Sequence, residues 1–278
     1  MPALDRVIDD ALAEDVGHGD LTTDAIVPAG LRGTAAVVVR EPGVVCGLDA
    51  AFAAVRRLDP GAAMERLVQD GALVEQAPVT AARFEASLRA LLTAERTALN
   101  LLQRMSGIAT VTRRYVEAVE GTGVEVLDTR KTAPGLRDLD KAAVACGGGT
   151  NHRRGLDDAV LIKDNHLAVA GSVAAAVELV RREHPGRTVE VEADTVEQLE
   201  QALAAGADVV LLDNMAPEML RHAVRITNGR AQLEASGGIT IETIREVAET
   251  GVDAISVGAL THSVRALDIA MEVTPSAP

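Results

Sequence analysis

Aromatic side chains are almost missing from this sequence. Its 278 residues include two phenylalanines, one tyrosine and no tryptophan. A core must therefore consist mainly of Ala, Val and Leu, and the stacking platforms of single-stranded nucleic-acid binders are lacking. Positive charge is also short, because 27 Lys and Arg stand against 41 Asp and Glu, a formal net charge of −14. We therefore expect no binding to nucleic acid.

Cysteines and long apolar runs are scarce too. Cys46 and Cys146 lie far apart in the sequence and match neither a disulfide framework nor the ligand spacing of a zinc site. No apolar run is long enough to span a membrane. The acidic, amphipathic start MPALDRVIDDALAEDVG has no signal-peptide core. These features predict a reduced, cytoplasmic protein that does not enter a membrane.

Lysine is rare as well, and its placement is informative. The three lysines are Lys131, Lys141 and Lys163, and all lie in or shortly before the segment HRRGLDDAVLIKDNH, residues 152–166. This segment also carries two arginines and two histidines around a short apolar run. A basic cluster is by default a solvated surface, but in an acidic chain it indicates a site for an anion.

The pattern of apolar runs divides the chain into two parts. Up to about residue 85, a first helix that ends near Gly17 is followed by a turn-rich connector, DLTTDAIVPAG, and by short strand-like runs. Residues 86–119 are strongly helical, with a predicted interruption at Gly107. After Gly123, six apolar runs that end in polar residues are separated mostly by segments with helical periodicity. This order predicts a parallel α/β barrel or a near relative, with an open doubly wound sheet as the alternative. A dinucleotide-binding G-x-G-x-x-G turn does not follow the first run.

Chemically active side chains follow the six runs, at the end of a barrel where function resides. The first two runs end in cations, the next two in carboxylates and the last two in glycine loops. In chain order, the run ends carry Asp128–Lys131, Lys163–His166, Glu190 with Glu192 and Asp194, Asp213–Asn214, Ser236–Gly238 and Ser256–Ala259.

Each group also has an ordinary structural interpretation. Glu192 and Asp213 could cap the helices that follow them, or could bind Mg²⁺ as neighbouring carboxylates, and the residue types leave both open. The loops Ser236–Gly238 and Val257–Ala259 could be tight turns, although late glycine loops in barrels often bind phosphate through backbone N–H groups. Lys163 follows a buried run, so its amine needs an anionic partner or must be uncharged. Together the groups predict a substrate with several negative charges, including a phosphate, and Mg²⁺.

Several long motifs lie along the chain. They are DTRKTAPGLRDLDKAAVACGGGTNHRRGLDDAVLIKDNH, VEVEAD, LLDN, EASGGI and SVGALTHS, and upstream EDVGHGDLTTDAIVP, REPGVVCGLDAAF and LLTAERTALNLLQRMSGIAT. Together they resemble the quinolinate phosphoribosyltransferase family. The resemblance covers most of the chain. It implies that quinolinate and phosphoribosyl pyrophosphate react, with Mg²⁺, to give nicotinate mononucleotide, pyrophosphate and CO₂, a pentosyl transfer in NAD biosynthesis.

The resemblance also implies an architecture. It consists of a mixed α/β N-terminal domain over residues 1–107, to which residues 265–278 return, and an incomplete TIM-like α/β barrel over residues 108–264. It includes a homodimer in which the N-terminal domain of one subunit covers the barrel mouth of the other.

Individual roles follow from the same resemblance. The implied catalytic residues are Lys131, Lys163, Glu192 and Asp213. The implied substrate-binding residues are Thr129, Arg130, Lys131, His152, Arg153, Lys163, Glu192 and Asp213, with Arg96 donated by the partner subunit. The 5′-phosphate is expected on Ser236, Gly237, Gly238, Val257, Gly258 and Ala259. Glu192 and Asp213 are expected to bind Mg²⁺ or the ribose hydroxyls.

Departures from the family pattern and three alternatives accompany the resemblance. The segment DGALVEQAPV lacks a glycine that is usual in the family. Ala142 and Ala145 stand where the family usually has a tyrosine and an arginine. The alternatives are a related phosphoribosyltransferase that acts on another heteroaromatic acid, a Schiff-base aldolase with Lys163 as nucleophile, and a phosphate-binding protein without catalysis.

Overall fold

The computed structural model describes residues 2–276, with side chains from residue 4 onward. Within that range the helices are α1 (Pro2–Val16), α2 (Leu21–Ile26), α3 (Leu48–Leu58), α4 (Leu88–Ala118), α5 (Arg137–Cys146), α6 (Asp164–Ala170), α7 (Val173–Glu183), α8 (Val196–Ala204), α9 (Pro217–Thr227), α10 (Ile244–Ala248) and α11 (Ala259–His262). The strands are β1 (Arg32–Val39), β2 (Gly43–Val44), β3 (Ala63–Arg66), β4 (Leu73–Val74), β5 (Val79–Ser87), β6 (Glu125–Leu127), β7 (Val160–Ile162), β8 (Val189–Ala193), β9 (Val209–Asp213), β10 (Gln232–Ser236), β11 (Ala254–Ser256) and β12 (Ile269–Pro275). None of the helices within these residues is long and apolar enough to cross a membrane.

Two compact units share the chain. The first consists of the chain up to Arg113, the segment Thr132–Gly148 and the chain from Thr261 onward. The second consists of Arg114–Lys131 and Gly149–Leu260. The segment Thr132–Gly148, which the predicted division counts with the barrel, therefore packs with the first unit. The predicted domain boundary after residue 107 stays a prediction.

The first unit is built on an antiparallel sheet in the order β12–β1–β5–β3. In β1, buried Ala35, Val37 and Val39 alternate with more exposed neighbours, the period-two pattern of a strand with one face on a core. The last strand of the chain pairs with β1, with Gly33 opposite Pro275. Strand β12, which is late in the sequence, therefore forms an edge of this sheet next to β1.

The second unit contains the predicted parallel sheet. All six predicted runs form strands, in the order β6–β11–β10–β9–β8–β7, and all their pairings are parallel. The helices that connect them bury apolar faces such as Leu199 and Leu220. An α/β fold with a parallel barrel-like sheet and an antiparallel N-terminal sheet is thus confirmed.

Alternation along the parallel strands separates core from site. In β8, Val189, Val191 and Ala193 are fully buried apolar residues, whereas Glu190 and Glu192 occupy the positions between them. Successive strand side chains point to opposite faces, so one face packs in the core and the other carries polar groups. β9 and β10 repeat this arrangement, and the register sets Ser236 opposite Asp213. Polar side chains of several strands are thereby placed on one face of the sheet.

The N-terminal half differs from the prediction in two elements. The predicted interruption at Gly107 is wrong, because α4 runs unbroken through it. A side chain there would collide with the backbone carbonyl of Arg265, so the glycine permits a close approach and does not end the helix. The predicted connector also contains a short helix, α2, whose N-cap Asp20 accepts a hydrogen bond from the Thr23 N–H at 2.9 Å.

The two cysteines meet in the first unit despite their separation along the chain. Both are free thiols, and they lie close enough for each to shift the pKa of the other. The Sγ of Cys146 also lies 3.8 Å from the carbonyl oxygen of Val45. The hydrogen bond with Cys146, together with burial, raises the pKa of the Cys46 thiol, whereas the hydrogen bond with Cys46 lowers the pKa of Cys146.

Ala142 and Ala145, two of the departures from the family pattern, are both exposed on α5. The buried residues of this helix include Leu139, Ala143 and Val144. The departures therefore leave the packing of α5 unaffected.

Candidate functional site

A pocket with a volume of about 280 Å³ lies at the carboxyl ends of the parallel strands. All of its lining residues belong to the second unit. They are Asp128, Thr129, Arg130, Lys131, His152, Arg153, Leu161, Lys163, Glu192, Leu211, Asp213, Glu234, Ser236 and Ser256.

The pocket brings together nine of the predicted site residues. These nine are Thr129, Arg130, Lys131, His152, Arg153, Lys163, Glu192, Asp213 and Ser236. Four of them are Lys or Arg and two are carboxylates, so the predicted grouping of cations with a central acidic pair is present. Lys141, the third lysine, is buried in α5 of the first unit and lies outside this pocket.

Asp128 connects the two chain segments that supply the cations. Its side chain is fully buried, and one carboxylate oxygen accepts the backbone N–H of His152 at 2.8 Å. Next to it, the Thr129 hydroxyl accepts the backbone N–H of Lys131 at 3.0 Å. A buried carboxylate that binds backbone N–H groups fixes local geometry strongly. Asp128 therefore sets the position of His152 relative to the loop that carries Arg130 and Lys131.

Lys163 has the anionic partner that its position after a buried run requires. Its ammonium group contacts the carboxylate of Glu192 on the neighbouring strand β8. Its backbone N–H donates to Nδ1 of His166 at 2.9 Å, which closes a capping box at the start of α6. His166 thus has a structural role. An amine held in an ion pair suits binding of an anion better than attack on a carbonyl carbon.

Glu192 and Asp213 belong to a carboxylate cluster with a third member. Oxygen atoms of Glu192, Asp194 and Asp213 all lie within 4.8 Å of one another. Asp213 also accepts a hydrogen bond from the Asn214 side-chain amide at 2.6 Å. Hard oxygen donors at this spacing are the ligand type that Mg²⁺ prefers, so the donor set fits that ion. Asp194 was seen at the strand end in the sequence but was not assigned to the site.

Two further carboxylates surround His152, and the sequence did not predict their role. Nε2 of the ring lies 3.1 Å from Glu190 and 3.3 Å from Glu234, whose side chains are only 7% and 4% exposed. Burial lowers the pKa of His152, but the hydrogen bonds to Glu190 and Glu234 outweigh it and raise the pKa to about 10. The alternation of strand side chains could have revealed this role. Glu234, in the middle of the buried run QLEAS, lies on the same face of β10 as Ser236.

The two guanidinium groups of the pocket repel each other. Burial lowers the pKa of Arg153, and the nearby charge of Arg130 lowers it further. Burial also raises the pKa of Glu190, whose charge acts on both His152 and Arg153. An arriving dianion would relieve this repulsion and would be bound more strongly for that reason.

The glycine loop after β10 depends on its glycines. Gly237 has φ +97°, and a side chain there would lie 2.9 Å from the backbone nitrogen of Asn214. The Asn214 N–H in turn donates to the Ser236 carbonyl at 2.8 Å, which joins this loop to the end of β9. Gly238 follows with φ +60° and open space at its Cβ position. Consecutive residues of this kind turn backbone N–H groups towards one point, as in anion-binding loops.

The loop after β11 differs from the prediction at one residue. The Val257 N–H donates to the Leu127 carbonyl at 2.9 Å, and its side chain is buried. Its N–H therefore connects β11 to β6 and does not point to a ligand. Gly258, which directly precedes the short helix α11, and Ala259, its first residue, are left as the candidate phosphate contacts of this loop.

Arg96, the residue predicted to act in the partner's site, lies on α4 in the first unit. Its side chain is 58% exposed and its guanidinium is 3.8 Å from the carboxylate of the adjacent Glu95. It does not line the pocket of its own chain.

Family models match almost the whole chain. Residues 20–106 match the N-terminal domain of quinolinate phosphoribosyl transferase, and residues 108–272 match its C-terminal domain.

Individual relatives agree with the family models. The chain is 48% identical to a nicotinate-nucleotide pyrophosphorylase [carboxylating] of Mycobacterium leprae, over 95% of this chain and 94% of the relative. It is 42% identical to a probable enzyme of the same name from Bacillus subtilis, over 98% and 94%. The solved nicotinate-nucleotide pyrophosphorylase of Francisella tularensis matches with a TM-score of 0.94 at 41% identity, over 98% and 96%. The chain therefore belongs to the quinolinate phosphoribosyl transferase family.

Proposed function

We propose that this chain transfers the phosphoribosyl group of phosphoribosyl pyrophosphate to the ring nitrogen of quinolinate, with loss of CO₂. The products are nicotinate mononucleotide, pyrophosphate and CO₂. The observation that carries the proposal is the pocket in which Arg130, Lys131, Arg153 and Lys163 meet the acidic pair Glu192 and Asp213. The near full-length similarity to carboxylating pyrophosphorylases supports the same reaction.

Quinolinate is a planar dicarboxylate and suits the guanidinium side of the pocket. Arg130 and Arg153 offer planar pairs of N–H donors, which match carboxylates in a way that an ammonium group does not. His152, held between them and the barrel interior, adds an imidazole edge, and Thr129 lines the same wall. These groups would orient the ring nitrogen towards the ribose, and orientation is a large part of catalysis in a two-substrate reaction.

Phosphoribosyl pyrophosphate suits the remaining side. Lys131 and Lys163 are compact point charges that would neutralise the departing pyrophosphate. The loop Ser236–Gly238, with Gly258 and Ala259, would bind the 5′-phosphate through backbone N–H groups. Lys163 already contacts Glu192, so substrate binding would exchange one anionic partner for another.

Mg²⁺ fits the cluster of Glu192, Asp194 and Asp213. Bound there, it would supply positive charge to the pyrophosphate oxygens. Ribose hydroxyls could also donate to the same carboxylates.

The reaction needs no covalent intermediate with the protein. The ring nitrogen forms a bond to C1 of the ribose while the bond from C1 to pyrophosphate breaks. The ring then carries a positive charge, so the electron pair left at C2 when CO₂ departs is stabilised by the adjacent N⁺. That carbon then takes up a proton from water, which gives the C2–H bond of nicotinate mononucleotide. Preorganised cations around the carboxylates and the leaving group supply the main electrostatic contribution.

A homodimer would complete the site. Arg96 is 58% exposed and does not line the pocket of its own chain. In a dimer with two-fold symmetry, each subunit could donate Arg96 to the other. A mixture of inactive Arg96→Ala and inactive Lys131→Ala chains should then recover about a quarter of the active sites, because half of the mixed dimers' sites are intact. A monomer, or a dimer with self-contained sites, would recover none.

A turnover assay tests the reaction itself. Purified protein is incubated with Mg²⁺, phosphoribosyl pyrophosphate and either quinolinate or nicotinate, and mononucleotide, pyrophosphate and CO₂ are measured. We expect turnover with quinolinate and a loss of at least about 100-fold in Arg130→Ala and Lys131→Ala. Arg245→Ala, which removes an exposed ion pair with Glu249, is the control and should keep full activity.

The other outcomes separate the alternatives. Turnover with a different ring acid would keep the transferase and change its acceptor. Binding of phosphoribosyl pyrophosphate without turnover would favour a phosphate-binding protein. Borohydride trapping of a keto substrate on Lys163 would favour an aldolase.

A further inference from the structure

The barrel interior holds two glutamates to which the proposed reaction assigns no role. Glu190 lies in the middle of β8 and Glu234 in the middle of β10. Their side chains are 7% and 4% exposed, so almost no water can solvate their charge. Buried carboxylates at this depth need a donor or a cation to offset the cost of desolvation.

Their common partner is the ring of His152. Nε2 lies 3.1 Å from Glu190 Oε2 and 3.3 Å from Glu234 Oε2. The Arg153 N–H occupies Nδ1, so the ring hydrogen is on Nε2 and is donated to the carboxylate oxygens. The partner of one ring nitrogen thereby determines whether the other ring nitrogen donates or accepts a hydrogen bond.

The opposite edge of the ring is also fixed. Nδ1 lies 2.8 Å from the backbone nitrogen of Arg153, and the backbone N–H of His152 is bound by Asp128. Nδ1 accepts the Arg153 N–H, so the ring connects the two glutamates to the backbone of Arg153.

We propose that Glu190 and Glu234 are positioning residues for the substrate's carboxylates. They accept Nε2–H of His152 and so keep Nδ1 as the acceptor of the Arg153 N–H. The backbone at Arg153 is thereby held where its guanidinium can bind a carboxylate of the ring acid. This inference rests on the proposed function, because it names part of the quinolinate subsite.

The same three side chains could instead hold a metal ion. The ligand atoms of His152, Glu190 and Glu234 all lie within 4.8 Å of one another. An imidazole with two carboxylates is a donor set that binds Zn²⁺ or Mn²⁺. An experiment must therefore distinguish a proton on Nε2 from a metal ion in its place.

The central variants are Glu234→Gln and Glu234→Ala, because Glu234 is remote in sequence from the proposed Mg²⁺ ligands. Glu234→Ala should weaken quinolinate binding about 10-fold or more, the usual scale for groups that orient a site residue. Binding of phosphoribosyl pyrophosphate should change less than about 2-fold, since its groups lie elsewhere in the pocket. Glu234→Gln keeps the size and one acceptor oxygen, so it should recover part of the loss. Gln232→Ala, at the exposed end of the same strand, is the matched control and should change neither affinity.

A spectroscopic measurement gives a readout that does not depend on turnover. Nitrogen-15 NMR of the histidine rings, with His152→Ala used for assignment, should show Nε2 protonated in the wild type and a changed protonation pattern in Glu234→Ala. Binding of phosphoribosyl pyrophosphate is measured in each variant as the control for an intact fold.

The outcomes separate this inference from the proposed function. A wild-type protein that does not bind quinolinate would refute the proposed function, whatever the ring signals show. Quinolinate binding that is equal in the wild type and Glu234→Ala would refute only the positioning role. Equal losses of both substrates would show a general structural effect and would also refute it. The positioning role would also be refuted if the protein contained one equivalent of Zn²⁺ or Mn²⁺ that a chelator removes, and if the His152 signal were typical of a metal-bound nitrogen. The three side chains would then be a metal site.

Discussion

Substitution of Asp140 by asparagine should destabilise the first unit strongly. Asp140 is fully buried on α5 and accepts two parallel hydrogen bonds from Arg104, from Nε and Nη2, each at 2.8 Å. It also accepts the backbone N–H of Ala133 at 3.0 Å. Asparagine has the same shape but no charge, so the change leaves the Arg104 guanidinium without its counter-charge in a largely dry setting.

The size of the effect follows from the burial of the two partners. Removal of one member of a buried ion pair costs about 3–5 kcal/mol. Arg104 is 27% exposed, so water offsets part of this loss, and we expect the lower end, about 3 kcal/mol. For a chain of this size, each kcal/mol lowers Tm by about 2–4 °C, which gives a decrease of about 6–12 °C.

The assay is urea unfolding followed by circular dichroism, because the sequence has no tryptophan to report by fluorescence. Glu249→Gln is the control, since it removes one charge from the ion pair of Arg245 and Glu249, whose side chains are both exposed. It should cost less than about 1 kcal/mol. The double variant Arg104→Met with Asp140→Asn should be less destabilised than the sum of the two single changes by about 1–3 kcal/mol.

Two results would refute this reasoning. One is a loss in Asp140→Asn no larger than in Glu249→Gln, which would mean that the buried pair contributes no more than a surface pair. The other is strict additivity in the double variant, which would mean that Arg104 and Asp140 act independently.

Three further predictions concern other parts of the molecule. Gly237→Ala, at φ +97° and against the backbone of Asn214, should cost about 1–2 kcal/mol and raise KM for phosphoribosyl pyrophosphate; an unchanged KM in steady-state kinetics would remove this loop from the phosphate site. Backbone N–H groups hold the pKa of Asp59 below its ordinary value, so it adds stability above pH about 4 that is lost as pH falls through its folded pKa. Asp59→Asn should therefore flatten the acid side of the stability curve, and an unchanged curve in urea titrations at several pH values would contradict this. Iodoacetamide should label Cys146 in the native protein and spare the buried Cys46, as mass spectrometry of peptides can show, and the reverse order would contradict the burial and pKa shifts.

The barrel was predictable because its signals are local. Each parallel strand is a short apolar run, and the polar residue that ends it faces the pocket. Sequence order alone therefore placed Lys163, Glu192 and Asp213 at the strand ends, whereas their roles came from the resemblance to the family. The continuous helix α4 was not predictable in the same way. Gly107 is tolerated there because the chain at Arg265 packs against it, and nothing near Gly107 in the sequence reveals that contact. The proximity of Cys46 and Cys146 was missed for the same reason.

The buried carboxylates were missed because their meaning depends on register between strands. Glu190 could be seen near a strand end, but Glu234 stands inside an apolar run, where a single acidic residue has no local explanation. Only the pairing of β8, β9 and β10 brings both to the Nε2 of His152. Strand alternation identifies the residues that share a face of the sheet with known site residues. The register between strands then shows which of these residues lie next to one another.

Depth along one strand separates two uses of the same side chain. Glu190 and Glu192 are two residues apart on β8, so they point to the same face at a separation of about 7 Å along the strand. The deeper Glu190 is in contact with an imidazole, whose hydrogen-bond direction is fixed, and this suits a permanent positioning role. The shallower Glu192 contacts the flexible ammonium of Lys163, a partner that can be exchanged for a metal ion or a substrate phosphate. A rigid partner at depth and an exchangeable partner at the mouth allow one strand both to hold the binding site in place and to take part in the reaction.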